Sequence, residues 1–278
     1  MTTPQEFSRS QAPTPPVPEP LPSPVWDSHT HLEMQSEPVG AALAAAAAVG
    51  VRRVVQVGTD VESSRWGVAE AAKHETLRAT VALHPNDAPL LDDLDTALEQ
   101  IDGLAASDEV VGIGETGLDY FRTGEEGRPI QHAAFRGHID IAKRHNKALM
   151  IHDRDAHADV LRILDEQGAP ERVILHCFSG DKEFAQECVR RGYYTSFAGN
   201  VTFANAGQLH EAAAVVPASR LLVETDGPFL TPVPHRGKQN VPYLLPITVR
   251  YLAQLRGDDL EELCAALWKN SERVFALA

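Results

Sequence analysis

The stretch Val25-Trp26-Asp27-Ser28-His29-Thr30-His31-Leu32 decides between two folds. It opens as an apolar strand. An open doubly wound sheet would turn on glycines at that point to hold a phosphate, whereas this chain runs into an aspartate and two histidines. Residues i and i+2 share one face of a strand, so His29 and His31 can point to the same side. The same pattern recurs outward from here. Short β-branched runs at 25–28, 53–57, 79–83, 110–114, 148–151, 173–175, 194–198 and 221–224 alternate with Ala-, Leu- and Glu-rich segments of helical length. Arg128 to His145 and Ala156 to Gln167 carry apolar residues at helical spacing, with Gly168 placed as a stop. Strands alternating regularly with helices imply a parallel sheet with right-handed crossovers. Eight such units in about 250 residues is the size at which the sheet closes into a (β/α)8 TIM barrel.

With 278 residues, 43% of them hydrophobic, the chain can bury a large core without disulfides. It has no run of 18 apolar residues, so no membrane span is expected. The first 24 residues hold eight of the nineteen prolines and read as a disordered tail, with the domain spanning 25–278. Cys177, Cys188 and Cys264 show no C-x-x-C spacing, which points to reduced thiols in a cytoplasmic protein. A net charge of −14 excludes a generic nucleic-acid coat protein. It leaves room for a small basic mouth, with Arg122, Arg154, Lys182, Arg236 and Lys238 all following strand-like runs.

His29, His31, Glu115, His152, His176 and Asp226 each fall where an apolar run ends. One such residue reads as a satisfied core group or a surface polar group; six at the same end do not, because buried polar side chains need partners. Barrel closure sets the eighth strand beside the first and brings Asp226 next to His29 and His31. All six then gather at the C-terminal face, where barrels of this kind carry their chemistry. Glu115 can bridge two cations through its two oxygens. The expected sets are His29, His31, Glu115 and Asp226 for one divalent ion, and Glu115, His152 and His176 for a second. With no thiolate in either set, Zn, Mn, Mg and Fe are all chemically allowed. Glu224 reads as a brace for a ligand, and Asp119 as a cap for the loop that follows it.

Read together, DSHTHL at 27–32, ALHP at 82–85, GIGETGLDY at 112–120, IHDRDAH at 151–157, LHCFSG at 175–180, ETDGPFL at 224–230 and HRGKQNVP at 235–242 resemble the TatD family of metal-dependent deoxyribonucleases. The resemblance covers nearly everything from Val25 onward. It implies a barrel of the amidohydrolase type and metal-dependent hydrolysis of DNA phosphodiesters, commonly from the 3′ end, through a hydroxide activated between two ions. The expected substrate is DNA with single-stranded ends, with no membrane and no obligate protein partner. Asp226 and Glu115 are the expected catalytic groups, Asp226 both binding a metal and accepting a proton from the attacking water. His84, Arg122, Arg154, Arg236 and Lys238 are candidates for holding phosphates, although His84 also reads as a structural His-Pro turn. Asn86, Gly227, Gln239, Val241 and the segment 269–273 depart from the usual pattern; none is a proposed ligand. One alternative on the same site is a D-aminoacyl-tRNA deacylase or another ester or amide hydrolase. Another is a non-catalytic barrel, which would be expected to have lost a ligand, and none is missing here.

Overall fold

β-branched and apolar runs pair side by side in a computed structural model that describes residues 15–277. The strands are β1 (Val25–Thr30), β2 (Val51–Val57), β3 (Leu77–Val81), β4 (Val110–Asp119), β5 (Ala148–Arg154), β6 (Val173–Leu175), β7 (Tyr194–Phe197) and β8 (Leu221–Val223). They lie in chain order, and each is parallel to its neighbour. A parallel bridge between Thr30 and Gly227 joins the last strand to the first. Two further hydrogen bonds seal the seam: Asp226 N–H donates to the His29 carbonyl at 2.9 Å, and His31 N–H to that of Gly227 at 2.7 Å. The chain is a nearly closed eight-stranded parallel barrel wrapped by helices, with the β8–β1 seam held by this bridge and these two bonds.

Around it run α1 (Val39–Ala48), α2 (Val61–Ala71), α3 (Leu94–Ala105), α4 (Arg128–His145), α5 (His157–Gln167), α6 (Lys182–Arg190), α7 (Gly207–Val215), α8 (Leu245–Arg256) and α9 (Leu260–Val274). Asp60, Asp93, Asp181 and Asp259 cap four of these, each carboxylate accepting from first-turn amides. Gly168 ends α5 at φ 74°, where the sequence places its stop. The larger apolar core lies between strands and helices, and a second fills the barrel with Trp26, Met150, Ile174, Tyr194 and Leu222. Phe275, just past α9, stacks on Trp26 at 5.6 Å and closes the floor.

β4 and β5 run past their apolar stretches to Asp119 and Arg154, so Glu115 and His152 lie inside strands rather than beyond them. Pairing continues from Thr116–Ile151 to Asp119–Arg154. Glycine permits it: a Cβ on Gly117 would stand 2.1 Å from the His152 carbonyl oxygen.

The tail expected over residues 1–24 divides in two. Residues 1–14 lie outside the described residues. Residues 15–24 have no regular secondary structure but are docked, which moves the start of the packed chain ahead of Val25. Leu21 is buried, and its N–H donates to the Val49 carbonyl at 3.0 Å. Prolines lack an N–H but keep an acceptor, and side chains use it: the Tyr243 hydroxyl donates to the Pro15 carbonyl and Arg250 to that of Pro20, both at 2.8 Å. No helix among the described residues is long and apolar enough to cross a membrane.

Candidate metal centre

Glu115 is the hinge of the site. Its Oε2 faces His29 Nε2 at 3.6 Å and His31 Nε2 at 3.8 Å. The other oxygen, Oε1, faces His152 Nδ1 at 2.7 Å and His176 Nε2 at 2.8 Å. Asp226 Oδ1 reaches the first pair from just past β8, 3.6 Å from His29 and 3.8 Å from His31. One buried carboxylate therefore divides its two oxygens between two imidazole pairs, and all six expected residues meet at the C-terminal mouth. Two convergent donor groups able to hold an ion, His29–His31–Asp226 and His29–Glu115–His176, follow from this geometry.

The hydrogen bonds at the far nitrogens decide which ring atoms are donors. His31 Nδ1 lies 3.1 Å from the Val57 carbonyl, an acceptor only, so it carries a proton and Nε2 is left for the cavity. His29 Nδ1 points at the Met150 thioether at 3.1 Å, which again leaves Nε2. His176 Nδ1 lies 3.2 Å from Glu224 Oε1, and His152 Nε2 lies 3.2 Å from Asp119 Oδ2. The carbonyl behind His31 and the carboxylates behind His176 and His152 are the support that metal-binding histidines use. The Nε2 atoms of His29 and His31 stand 3.1 Å apart, near the spacing of about 3 Å between neighbouring donors on one small divalent ion. The residues present fit divalent-metal binding.

His84 behaves differently. It forms a third group with Glu115 and His152, and its Nε2 is 3.4 Å from Glu115 Oε1. Its Nδ1, however, accepts the Asn86 N–H at 3.1 Å. The neutral ring then carries its proton on Nε2, which suits a hydrogen-bond donor rather than a ligand.

Burial and charge set the protonation states. Burial, reinforced by His176, holds His29 well below the usual imidazole range. Burial alone would raise Glu115, but the His176 charge and the hydrogen bonds from His152 and His176 overcome it and hold the carboxylate ionised. Burial lifts Asp226 to about 7 against His176 and His31, and the Glu224 and Glu115 carboxylates add to the lift. Against burial, Glu33, Glu115 and Asp226 raise His31 to about 9. With protons alone, neighbouring carboxylates push His31, His152 and His176 toward the charged form against burial; a divalent ion competes for the same lone pairs.

Of the groups behind the site, Glu224 and Asp119 are expected from the sequence, whereas Asp27 and Met150 are not. Asp27 ties β1 to the end of β8, accepting from Thr225 N–H at 2.8 Å and its hydroxyl at 2.6 Å. Glu224 accepts both His176 Nδ1–H and the Cys177 amide, the latter at 2.8 Å. Asp119 accepts from Asn86 at 3.0 Å and from the Phe121 and Arg122 amides at 3.0 and 2.8 Å, so it braces the loop and His152 at once. Asp27 and Met150 stand two residues before His29 and His152, and that period of two is the one signal for them. Of the expected phosphate cations, Arg122 and Arg236 are exposed, Arg154 lies 3.9 Å over the Phe121 ring, and Arg236 lies 4.0 Å over that of Phe203. Lys238 sits in the loop after β8, where its carbonyl accepts the Thr231 hydroxyl.

A parallel barrel with buried His and carboxylate donors at its C-terminal mouth is the architecture of metal-dependent hydrolases. Residues 26–276 match the family model described as TatD related DNase. The chain is 47% identical over 236 residues to an uncharacterized metal-dependent hydrolase TatD of Mycobacterium tuberculosis, covering 84% of this chain and 89% of that protein. It is 40% identical over 229 residues to the uncharacterized metal-dependent hydrolase YabD of Bacillus subtilis, covering 82% and 88%. Among solved structures, YjjV, a TatD homolog from Escherichia coli, superposes with a TM-score of 0.84 at 27% identity over 91% of this chain and 98% of that one. The chain belongs to the TatD family of metal-dependent hydrolases.

Proposed function

We propose that this protein holds two divalent ions and hydrolyses phosphodiester bonds of DNA from single-stranded ends, in the 3′ to 5′ direction. The observation that carries the reading is the divided Glu115 carboxylate, with Oε2 toward His29 and His31 and Oε1 toward His152 and His176. His29, His31, Glu115 and Asp226 would hold one ion, and Glu115, His152 and His176 the other; zinc, manganese and magnesium all suit these donors. When bound, the ions supply Lewis acidity toward phosphoryl oxygens and lower the pKa of water toward neutrality.

The chain's own residues do the rest. Asp226 turns Oδ1 to His29 and His31, which leaves its second oxygen to accept the proton of the attacking water. His84, with its proton on Nε2, donates to a phosphoryl oxygen, and Arg122, Arg154, Arg236 and Lys238 neutralise flanking phosphates. The family's description as TatD related DNase supports this choice of substrate. Cys177, Cys188 and Cys264 are all unpaired, in keeping with a cytoplasmic setting.

The test is a side-by-side assay of the metal-loaded protein on end-labelled single-stranded DNA with either end blocked, on duplex DNA and on D-aminoacyl-tRNA. Shortening from free 3′ ends is expected. Deacylation of the tRNA without cleavage of DNA would move the same centre to ester hydrolysis, and no metal-stimulated turnover on any substrate would overturn the reading.

A further inference from the structure

Five of the large apolar side chains left exposed, Met34, Leu90, Phe121, Phe229 and Val233, stand on loops that leave the C-terminal ends of β1, β3, β4 and β8. The folded chain hides apolar side chains wherever it can, and a rim of exposed ones around a concave site marks a binding surface. Two of them are aromatic. Phe121 is 64% exposed and Phe229 52% exposed.

Both rings are carried on backbone fixed to the site. The Phe121 amide donates to Asp119, whose other oxygen lies 3.2 Å from His152 Nε2. The Phe229 amide donates to the Asp226 carbonyl at 2.8 Å. Its own carbonyl accepts from the buried Asn240, which also holds the Thr225 carbonyl. The ring stands 6.4 Å from that of His31. β4 and β8 are four places apart in a ring of eight, so the two rings rise from opposite walls of the mouth, one beside each half of the divided Glu115 centre. The Arg154 guanidinium stands 3.9 Å over the Phe121 ring, covering one face of a side chain that is otherwise largely exposed.

An aromatic ring with a cation on one face is what a nucleotide with an unpaired base meets well, because the base stacks on the ring's other face and the phosphate meets the charge. Bases within a duplex are already stacked and offer no free face. The geometry points to Phe121 and Phe229 as stacking platforms for the nucleobases on the two sides of the scissile phosphate. This rests on the phosphodiesterase reading above and assigns that site its choice of single-stranded ends.

The experiment compares a short single-stranded oligodeoxynucleotide with one of the same length whose terminal nucleotides lack bases. Turnover is measured as kcat/KM. Binding of phosphorothioate versions, which resist cleavage, is read by fluorescence anisotropy with the metal-loaded protein. The protein is expected to prefer the base-bearing strand in both measurements. Phe121→Ala and Phe229→Ala should each lower the ratio of base-bearing to abasic about 10-fold, the order of one base stacked on one ring, and Phe121→Trp and Phe229→Trp should keep it. A base preference in binding with no turnover would overturn the hydrolytic reading and leave the platforms standing. Equal affinity for the two strands, or equal losses on both in the alanine variants, would overturn the platforms.

Discussion

Nε2 of His29 stands 3.1 Å from Nε2 of His31, with both Nδ1 atoms turned away to Met150 and to the Val57 carbonyl. Two imidazole nitrogens cannot remain so close with bare lone pairs, so a proton or a metal ion must lie between them. An ion that binds this pair in the folded chain and not in the unfolded one raises stability by mass action, by about 2.7 kcal/mol at a hundred times its dissociation constant. Adding zinc or manganese to chelator-stripped protein is expected to raise the melting temperature. His31→Ala should lose the part of that rise owed to the ion on this pair, and an equal rise in the variant would place the ion elsewhere.

Glu115 bridges the two halves, while Glu224 touches only one. Glu115→Gln removes the shared charge and is expected to lower bound metal on mass spectrometry and to cut activity at least about 10²- to 10³-fold, the scale on which removal of one preorganised group for transition-state charge is felt. Glu224→Gln leaves every ligand in place but weakens the brace on His176 Nδ1. Its expected effect is a loss of about 10- to 100-fold in affinity for one of two ions, measured by titration calorimetry. Equal effects of the two substitutions on both ions would refute the division of labour.

The sequence carried the barrel because its signal repeats: each β-branched run followed by a helical segment is one more copy of the same unit. The six donors were legible for the same reason, since the strands aim them to one end. What period two could not show was where pairing stops. β4 and β5 continue past their apolar residues because Gly114 and Gly117 let β5 approach, a Cβ on Gly114 falling 2.5 Å from that of Met150. Nor does the sequence say that His84 offers a proton rather than a lone pair. That follows from an amide two residues away, Asn86, in a turn whose shape only the folded chain shows. The docking of residues 15–24 was hidden by composition, because proline-rich chain reads as having nothing to bury, whereas its carbonyls and Leu21 find partners.

His138 gives a pH dependence separate from the metal centre. It is fully buried on α4, accepts the Leu83 amide at Nε2 at 3.0 Å, and has Nδ1 near the Ala134 carbonyl and the Thr116 hydroxyl. Burial lowers its pKa from 6.5 to about 4. Between those values the unfolded chain binds the proton and the folded chain does not, so stability falls as pH drops from 6.5 toward 4, by up to about 3 kcal/mol. Urea denaturation of chelated protein from pH 7.5 to 4.5 is expected to show this slope, reduced in His138→Gln, while the titrations common to both proteins cancel in the difference. Parallel curves for the two proteins would rule His138 out.

Gly117 and Gly103 should respond to alanine with opposite signs. At Gly117 φ is 136° and a Cβ would lie 2.1 Å from the His152 carbonyl oxygen, backbone that cannot swing aside. The substitution is expected to cost about 2–4 kcal/mol, through strain and parting of β4 from β5. At Gly103, inside α3, nothing lies within 4 Å of the added carbon. Alanine there should stabilise by about 0.5–1 kcal/mol, since glycine loses more backbone freedom than alanine on entering a helix. Urea midpoints at unchanged m-values measure both. A neutral Gly117→Ala would mean that β5 can yield at His152, and the ligand geometry drawn from that strand would lose its rigidity.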